Sequence, residues 1–124
     1  MINVVKAIIK KDNKFLLLKR SSNSKFFASL WDFPGGKIKG EEKVSEALVR
    51  EVKEESNLNI KSTDKFDEYN YNEKGHEIHF RVFWPTSFSG EVKLSKDHTE
   101  FRWFSKEDLK KYSLAPIVKL ALNP

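Results

Sequence analysis

Residues 35–56 read GGKIKGEEKVSEALVREVKEES, and their periodicity predicts a helix that begins near Lys43. At roughly 100° per residue, this helix has one apolar stripe, formed by Val44, Ala47, Leu48 and Val52. Glu51, Glu54 and Glu55 lie beside that stripe, within an arc of roughly 100°, rather than opposite it. A solvated surface helix carries its acids on the far face. The three carboxylates therefore indicate a site at the edge of the core.

Carboxylates at positions i, i+3 and i+4 repel one another, and a hard divalent cation relieves the repulsion. Oxygen ligands suit Mg²⁺ or Mn²⁺. The sequence has no cysteine and no histidine pair at helical spacing for zinc, so no catalytic role is assigned to its histidines. Mg²⁺ usually binds through a few carboxylates and substrate phosphates, so the cluster predicts a phosphate-bearing substrate. The alternative is a helix whose glutamates pair only with Arg50, Lys43 and Lys53.

The chain has 124 residues, which is the size of one domain with a single core. Its hydrophobic content of 39% and aromatic content of 13% are typical of an ordered globular protein. The net charge of +5 suits a phosphate-bearing ligand, but the lysines are scattered and also fit an ordinary solvated surface. We expect no nucleic-acid binding, because only the net charge would support it.

The N-terminal sequence MINVVKAIIKK has none of the parts of a signal peptide, and no stretch approaches transmembrane length. The absence of cysteine excludes disulfides and thiolate metal sites. We therefore expect a cytoplasmic protein with no membrane attachment.

Hydrophobic runs and alternation predict strands at residues 3–10, 14–19, 66–71, 77–84 and 100–104. Turns are expected at Asp12-Asn13 and within NEKG, residues 72–75. Alternation with polar residues in the fourth strand places four side chains in the core, namely Ile78, Phe80, Val82 and Trp84.

Asn57 is expected to end the first helix in a left-handed conformation, which asparagine tolerates better than most residues. The sequence SKED at Ser105–Asp108 resembles a capping box, and Pro116 suits the first turn of a terminal helix, PIVKLAL. Strands with helices inserted between them predict an α+β fold or an α/β/α sandwich.

The first helix and its flanks match a longer pattern, which consists of Gly36, five residues, Glu42, seven residues, and then REVKEESNL at residues 50–58. This pattern resembles the Nudix box, the signature of the Nudix hydrolase family, at every specified position but one, where Asn57 replaces glycine. The preceding LWDFPGGKI resembles the segment that leads into the box of MutT-type members. The resemblance implies a single Nudix domain over residues 1–124, with an α+β fold built as a Nudix-type α/β/α sandwich around a mixed β-sheet.

The same resemblance implies an enzyme that uses Mg²⁺, or Mn²⁺, to activate a water for attack on a phosphorus atom. MutT-type members hydrolyse nucleoside triphosphates to the monophosphate and pyrophosphate, and we expect that reaction on a small-molecule nucleotide. One alternative is another Nudix substrate, such as a dinucleotide or a nucleotide sugar. The other is a non-catalytic Nudix-like binding module. Monomer and homodimer both stay open.

Carried over by position, the resemblance makes Glu51, Glu54 and Glu55 metal-binding carboxylates, joined by the carbonyl oxygen of Gly35. Arg50 is implied to orient one of these acids, a task that suits its rigid fork of donors. Arg50, Glu54 and Glu55 are therefore the expected catalytic residues.

A further metal-binding acid is expected from a loop. Asp97 matches the MutT-type position, and Glu100 is the second choice. Glu54, Glu55 or Asp97 could serve as the general base. Glu42, at the start of the helix, either contributes to the metal site or favours the helix dipole.

The nucleotide is expected to contact Arg20, Phe33, Gly36 and Leu114. Arg20 fits the place of a phosphate-contacting arginine or is an ordinary edge charge, and Phe33 packs against a base or belongs to the core. Gly36 lets the backbone approach a ligand closely. Leu114 stands where MutT-type proteins selective for oxidised guanine carry an asparagine. Because leucine cannot form hydrogen bonds with a base edge, a broad base preference is expected.

Overall fold

The computed structural model describes residues 1–61 and 65–124. In chain order its elements are β1 (Ile2–Ala7), β2 (Lys10–Lys11), β3 (Lys14–Arg20), β4 (Trp31–Asp32), β5 (Gly35–Lys37), α1 (Val44–Ser56), β6 (Asn59–Ile60), β7 (Phe66–Glu73), β8 (His76–Phe83), β9 (Phe88–Ser89), β10 (His98–Phe104), α2 (Lys106–Leu109) and α3 (Pro116–Leu122). Among the described residues, none of the helices combines the length and the apolar run needed to cross a membrane.

The central sheet is mixed, as predicted. Its strand order is β5-β1-β8-β7, in which β1 and β8 run parallel while the outer pairs are antiparallel. A second, antiparallel sheet has the order β10-β3-β2, with β4 paired to β3. The short strands β6 and β9 form a separate ladder. The two larger sheets bring residues that are far apart in the sequence to one site.

Two apolar clusters pack on opposite faces of the strands. On β1, Val4 belongs to the cluster that α2 and α3 cover, whereas the next residue, Val5, belongs to the cluster that α1 covers. Leu16 and Leu17 on β3 alternate between the same two clusters. The strands therefore lie between helical layers, and this arrangement confirms the predicted α/β/α sandwich.

Several local predictions are confirmed by backbone geometry. Asp12 and Asn13 both have positive φ angles in the first turn, and Asn57 ends α1 with φ 68°. Ser105 caps α2 by accepting a hydrogen bond from the backbone N–H of Asp108. Pro116 opens α3.

Two strand predictions are wrong at their ends. The strand predicted to reach residue 10 stops at Ala7, because the chain leaves the first sheet there and enters the second. Trp84 is exposed rather than in the core, because β8 ends one residue earlier, at Phe83, and its alternation ends with it. Phe80 is buried as expected.

Candidate metal and nucleotide site

The acids of α1 differ sharply in burial. The helix packs Ala47 and Val52 into the core. Beside that stripe, the Glu51 and Glu55 side chains are 10% and 13% exposed, whereas the Glu54 side chain is 51% exposed. Two carboxylates therefore lie against the protein interior, whereas the third faces outward, although the helical winding had placed all three at the edge of the core.

Arg50 connects the acids at the start and end of α1. Its Nε and Nη2 atoms donate to the two carboxylate oxygens of Glu42 over 2.6 and 2.8 Å. Its Nη1 atom donates to Glu51 over 2.8 Å and to Glu54 over 3.2 Å. The bidentate bond to Arg50 lowers the pKa of Glu42 to about 2. Glu42 thus orients Arg50, and Arg50 in turn binds Glu51 and Glu54, two of the three α1 carboxylates that are predicted to bind the metal.

Two adjacent glycines, Gly35 and Gly36, lie against the carboxylates of the buried acids Glu55 and Glu51. The backbone N–H of Gly35 donates to Glu55 Oε1 over 3.0 Å. A Cβ atom on Gly36 would lie 2.3 Å from Glu51 Oε2, so only glycine leaves room for that carboxylate. Gly35 has φ +147°, and a Cβ there would lie 2.0 Å from the carbonyl oxygen of Val5. The site therefore depends on both glycines, for different reasons.

Glu55 lies in a mostly buried cluster of polar side chains, which also contains Lys6, Asp32 and His98. Burial raises its pKa to about 7, although Lys6 and the Gly35 N–H partly oppose the shift. The Nδ1 atom of His98 lies 3.7 Å from Glu55 Oε2, and neither ring nitrogen of His98 has a hydrogen-bond partner among the described residues. Burial lowers the pKa of His98 to about 4, so its ring is neutral at pH 7.

A cavity of about 80 Å³ adjoins this cluster. One part of its lining is polar and consists of Lys6, Arg20, Asp32, Gly36 and Lys37. The apolar part consists of Ile2, Val4, Phe26, Phe27, Ile78 and Phe80. Arg20 donates from Nε to the carbonyl oxygen of Phe26 over 3.0 Å, and its Nη1 lies 3.4 Å from Asp32 Oδ2. Arg20 is thus fixed at the cavity wall rather than extended from a sheet edge.

The other two substrate contacts expected from the sequence do not line this cavity. Phe33 is fully buried in the core cluster that α3 covers, so its ring has no surface for a base, which corrects that prediction. The reason is the antiparallel pairing of Trp31-Asp32 with β3, which fixes the direction of the next side chain. Leu114 is nearly buried and borders a different groove, which it shares with Phe27.

The two candidate loop acids occupy different surroundings. Asp97 is exposed and directly precedes His98, and its carbonyl oxygen accepts the backbone N–H of Ser21 over 2.9 Å. Glu100 is exposed too, but its carboxylate pairs with Lys19 over 3.5 Å. Asp97 is therefore closer in the chain to the buried cluster, and Glu100 already has a cationic partner.

Three site residues were missed from the sequence: Lys6, Asp32 and His98. Lys6 stands out as the one charged residue in the run VVKAII, and that was the available signal. Asp32 is part of the quoted LWDFPGG, where a buried acid has no local pattern. His98 reaches the site because β10 pairs with β3, which places it opposite Arg20.

The donor chemistry fits Mg²⁺, although the described side chains do not converge on one point. No group of three histidine or acidic side chains in the described ranges is arranged to hold a metal ion, and Arg50 donates hydrogen bonds to Glu51 and Glu54. The carboxylates of Glu51, Glu54 and Glu55 supply the oxygen ligands that Mg²⁺ prefers. Burial disfavours the negative charge on Glu55, and a bound cation would compensate that charge. The residues that would hold the ion are the predicted ones, namely Glu51, Glu54 and Glu55 together with the carbonyl oxygen of Gly35 and the loop acid Asp97.

Comparison with known proteins agrees with this architecture. The NUDIX domain model matches residues 2–121. The chain is 35% identical over 116 residues to CTP pyrophosphohydrolase of Escherichia coli K12, which covers 94% of this chain and 84% of the relative. It is 34% identical over 111 residues to 8-oxo-dGTP diphosphatase of Buchnera aphidicola subsp. Schizaphis graminum, covering 90% and 82%. The solved MutT protein of Methanosarcina mazei Go1 superimposes with a TM-score of 0.88 at 32% identity, covering 98% of this chain and 90% of that one.

The match over nearly the whole chain shows that the protein belongs to the NUDIX domain family. Its relatives and structural neighbours identify it more narrowly as a MutT-type Nudix hydrolase, an enzyme of the pyrophosphohydrolase class.

Proposed function

We propose that the protein is a Mg²⁺-dependent hydrolase that converts nucleoside triphosphates to the monophosphate and pyrophosphate. The observation that carries the proposal is the position of the α1 acids beside a cavity that is lined by both cationic and aromatic side chains. Two relatives named for hydrolysis of nucleoside triphosphates support it. A cytoplasmic location stays a prediction. For the oligomeric state, monomer and homodimer both stay open.

Each part of the site has a separate task in this proposal. Glu51, Glu54 and Glu55 hold the ion, which when bound supplies a Lewis acid for phosphate oxygens and a more acidic water. Arg50 keeps the first two acids in place. Arg20 binds phosphate at the cavity wall, and its fixed guanidinium suits a planar, charge-assisted contact. Glu54, Glu55 and Asp97 are the candidates for the general base.

A substrate panel tests the proposal. The purified protein is incubated with nucleoside triphosphates, dinucleoside polyphosphates, ADP-ribose and nucleotide sugars, each with and without Mg²⁺, and the nucleotide products are separated and quantified by chromatography. We expect triphosphates to give the highest kcat/KM, and only with the metal present. Higher activity on a dinucleotide or nucleotide sugar would assign another Nudix substrate, and binding without turnover would favour a non-catalytic module.

The loop acid can be identified by two matched substitutions. We expect Asp97→Asn to lower kcat by about tenfold and to raise the Mg²⁺ concentration needed for half-maximal rate, since weakened support of a metal site typically costs about 10–100-fold. Glu100→Gln should have little effect, because Glu100 already pairs with Lys19 on the surface. The reverse pattern would move the loop ligand to Glu100.

The base preference is expected to be broad. Leu114 lies outside the cavity described above and cannot form a hydrogen bond with an oxidised purine, and the rings that line the cavity offer only apolar contact or stacking. Small apolar differences discriminate by only about 1–3 kcal/mol. We therefore expect kcat/KM for 8-oxo-dGTP and for dGTP to agree within about a hundredfold. A preference of about a thousandfold for the oxidised nucleotide would contradict this expectation and would show that a polar side chain distinguishes the oxidised purine.

A further inference from the structure

Lys6 is a buried cation in the polar part of the cavity lining. Its side chain is 4% exposed and that of Asp32 is 2% exposed, and the two charges lie 3.1 Å apart. Burial of an ammonium group is costly unless the group is paired and hydrogen-bonded. Asp32 supplies the opposite charge, and the carbonyl oxygen of Phe33 accepts a second hydrogen bond over 3.3 Å.

These two acceptors leave one donor of Lys6 for a ligand. An ammonium group carries three N–H donors and no acceptor. Among the described residues, Lys6 has hydrogen bonds to Asp32 and Phe33 alone. Because Lys6 also lines the cavity, a substrate group that enters the cavity can accept a hydrogen bond from this third donor.

The surroundings favour a neutral acceptor over a phosphate. Three cations line the cavity, namely Lys6, Arg20 and Lys37. The Asp32 carboxylate lies 3.1 Å from Lys6 Nζ and 3.4 Å from Arg20 Nη1, so it compensates the charge of Lys6 most closely and weakens the attraction of Lys6 for an anion. The remaining walls carry the rings of Phe26, Phe27 and Phe80, which suit stacking or apolar contact with a flat base. The phosphates are left to Arg20 and to the metal held by α1.

We propose that Lys6 donates a hydrogen bond to a carbonyl oxygen or ring nitrogen of the nucleobase, and so selects nucleotides over base-free triphosphates. The inference rests on the proposed function and adds a specificity-determining residue to it. Each common base has such an acceptor, so a base-reading Lys6 agrees with a broad preference among bases.

Two variants and two kinds of substrate test this role. Lys6→Met/Asp32→Asn is compared with Asp32→Asn, so that Asp32 is neutral in both and only the Lys6 ammonium differs. For each protein, kcat/KM is measured with ATP, CTP and ribose 5-triphosphate at saturating Mg²⁺. Thermal unfolding checks that both variants fold, and if Asp32→Asn does not, Lys6→Met is compared with the unsubstituted protein.

We expect removal of the ammonium to lower the ratio of kcat/KM for the nucleotides over ribose 5-triphosphate by about tenfold or more, as for one charge-assisted hydrogen bond. An equal loss on all three substrates would place Lys6 on the phosphates and overturn the inference. An unchanged ratio with unchanged rates would make Lys6 a purely structural cation and overturn it as well. If the unsubstituted protein hydrolyses none of the triphosphates, the proposed function and the inference both fail.

Discussion

Glu55→Gln is expected to abolish most of the activity without harming the fold. Glutamine is nearly the same size, and its oxygen can still accept the Gly35 N–H. It cannot supply the negative charge for a divalent ion, and it cannot take a proton from water. Because positioned acid–base groups alone contribute about 10²–10⁴-fold, we expect kcat to fall by about a hundredfold or more. Steady-state kinetics with a nucleoside triphosphate and Mg²⁺ measure this change.

Stability separates a functional role of Glu55 from a structural one. Burial disfavours the charged carboxylate, so the neutral variant should unfold at the same temperature as the unsubstituted protein or higher. Glu41→Gln, at an exposed acid outside the site, serves as the matched control and should keep full activity. A Glu55→Gln protein that is less stable but equally active would contradict the metal-binding role.

Gly35→Ala is expected to have the largest effect on stability. Its new Cβ would meet backbone atoms of Val5 and Lys6, which cannot move without breaking the pairing of β5 with β1. Overpacking and a strained φ together should cost about 3 kcal/mol or more of unfolding free energy. Gly40→Ala is the control, because Gly40 also has a positive φ but open space around it, and it should cost about 1 kcal/mol.

Gly36→Ala should instead damage the site and spare the fold. Its Cβ would meet the Glu51 carboxylate, the end of a flexible side chain that can move away. That movement breaks the bond from Arg50, so Mg²⁺ affinity or activity should fall by about 10–100-fold. Denaturant unfolding and a Mg²⁺ titration of the rate measure the two effects. Equal stability losses in Gly35→Ala and Gly36→Ala would contradict the distinct roles of the two glycines.

The part of the site on α1 could be predicted because its information is local. Helical periodicity alone places Glu51, Glu54 and Glu55 beside the apolar stripe. In the structure Glu51 and Glu55 are mostly buried there, whereas Glu54 faces outward. Asn57 ends the helix as expected, because the left-handed conformation depends mainly on the residue type.

The rest of the site depends on strand pairing, which local patterns do not reveal. Lys6 lies opposite Gly35 through the register of β1 with β5, and Asp32 is placed by the pairing of β4 with β3. His98 lies opposite Arg20 through the register of β10 with β3. A phenylalanine such as Phe33 suits a protein core and a base-stacking site equally well, so its residue type does not distinguish them. Only the tertiary structure shows that Phe33 lies in the core. Sequence periodicity predicts a face of an element but not the partner across from it.

Product analysis tests the central claim most directly. The protein is incubated with a nucleoside triphosphate, either with Mg²⁺ or with a chelator, and ³¹P NMR identifies the products. The proposed function predicts nucleoside monophosphate and pyrophosphate with Mg²⁺ and no turnover with the chelator. Formation of nucleoside diphosphate and orthophosphate, or an undiminished rate in the chelator, would contradict it.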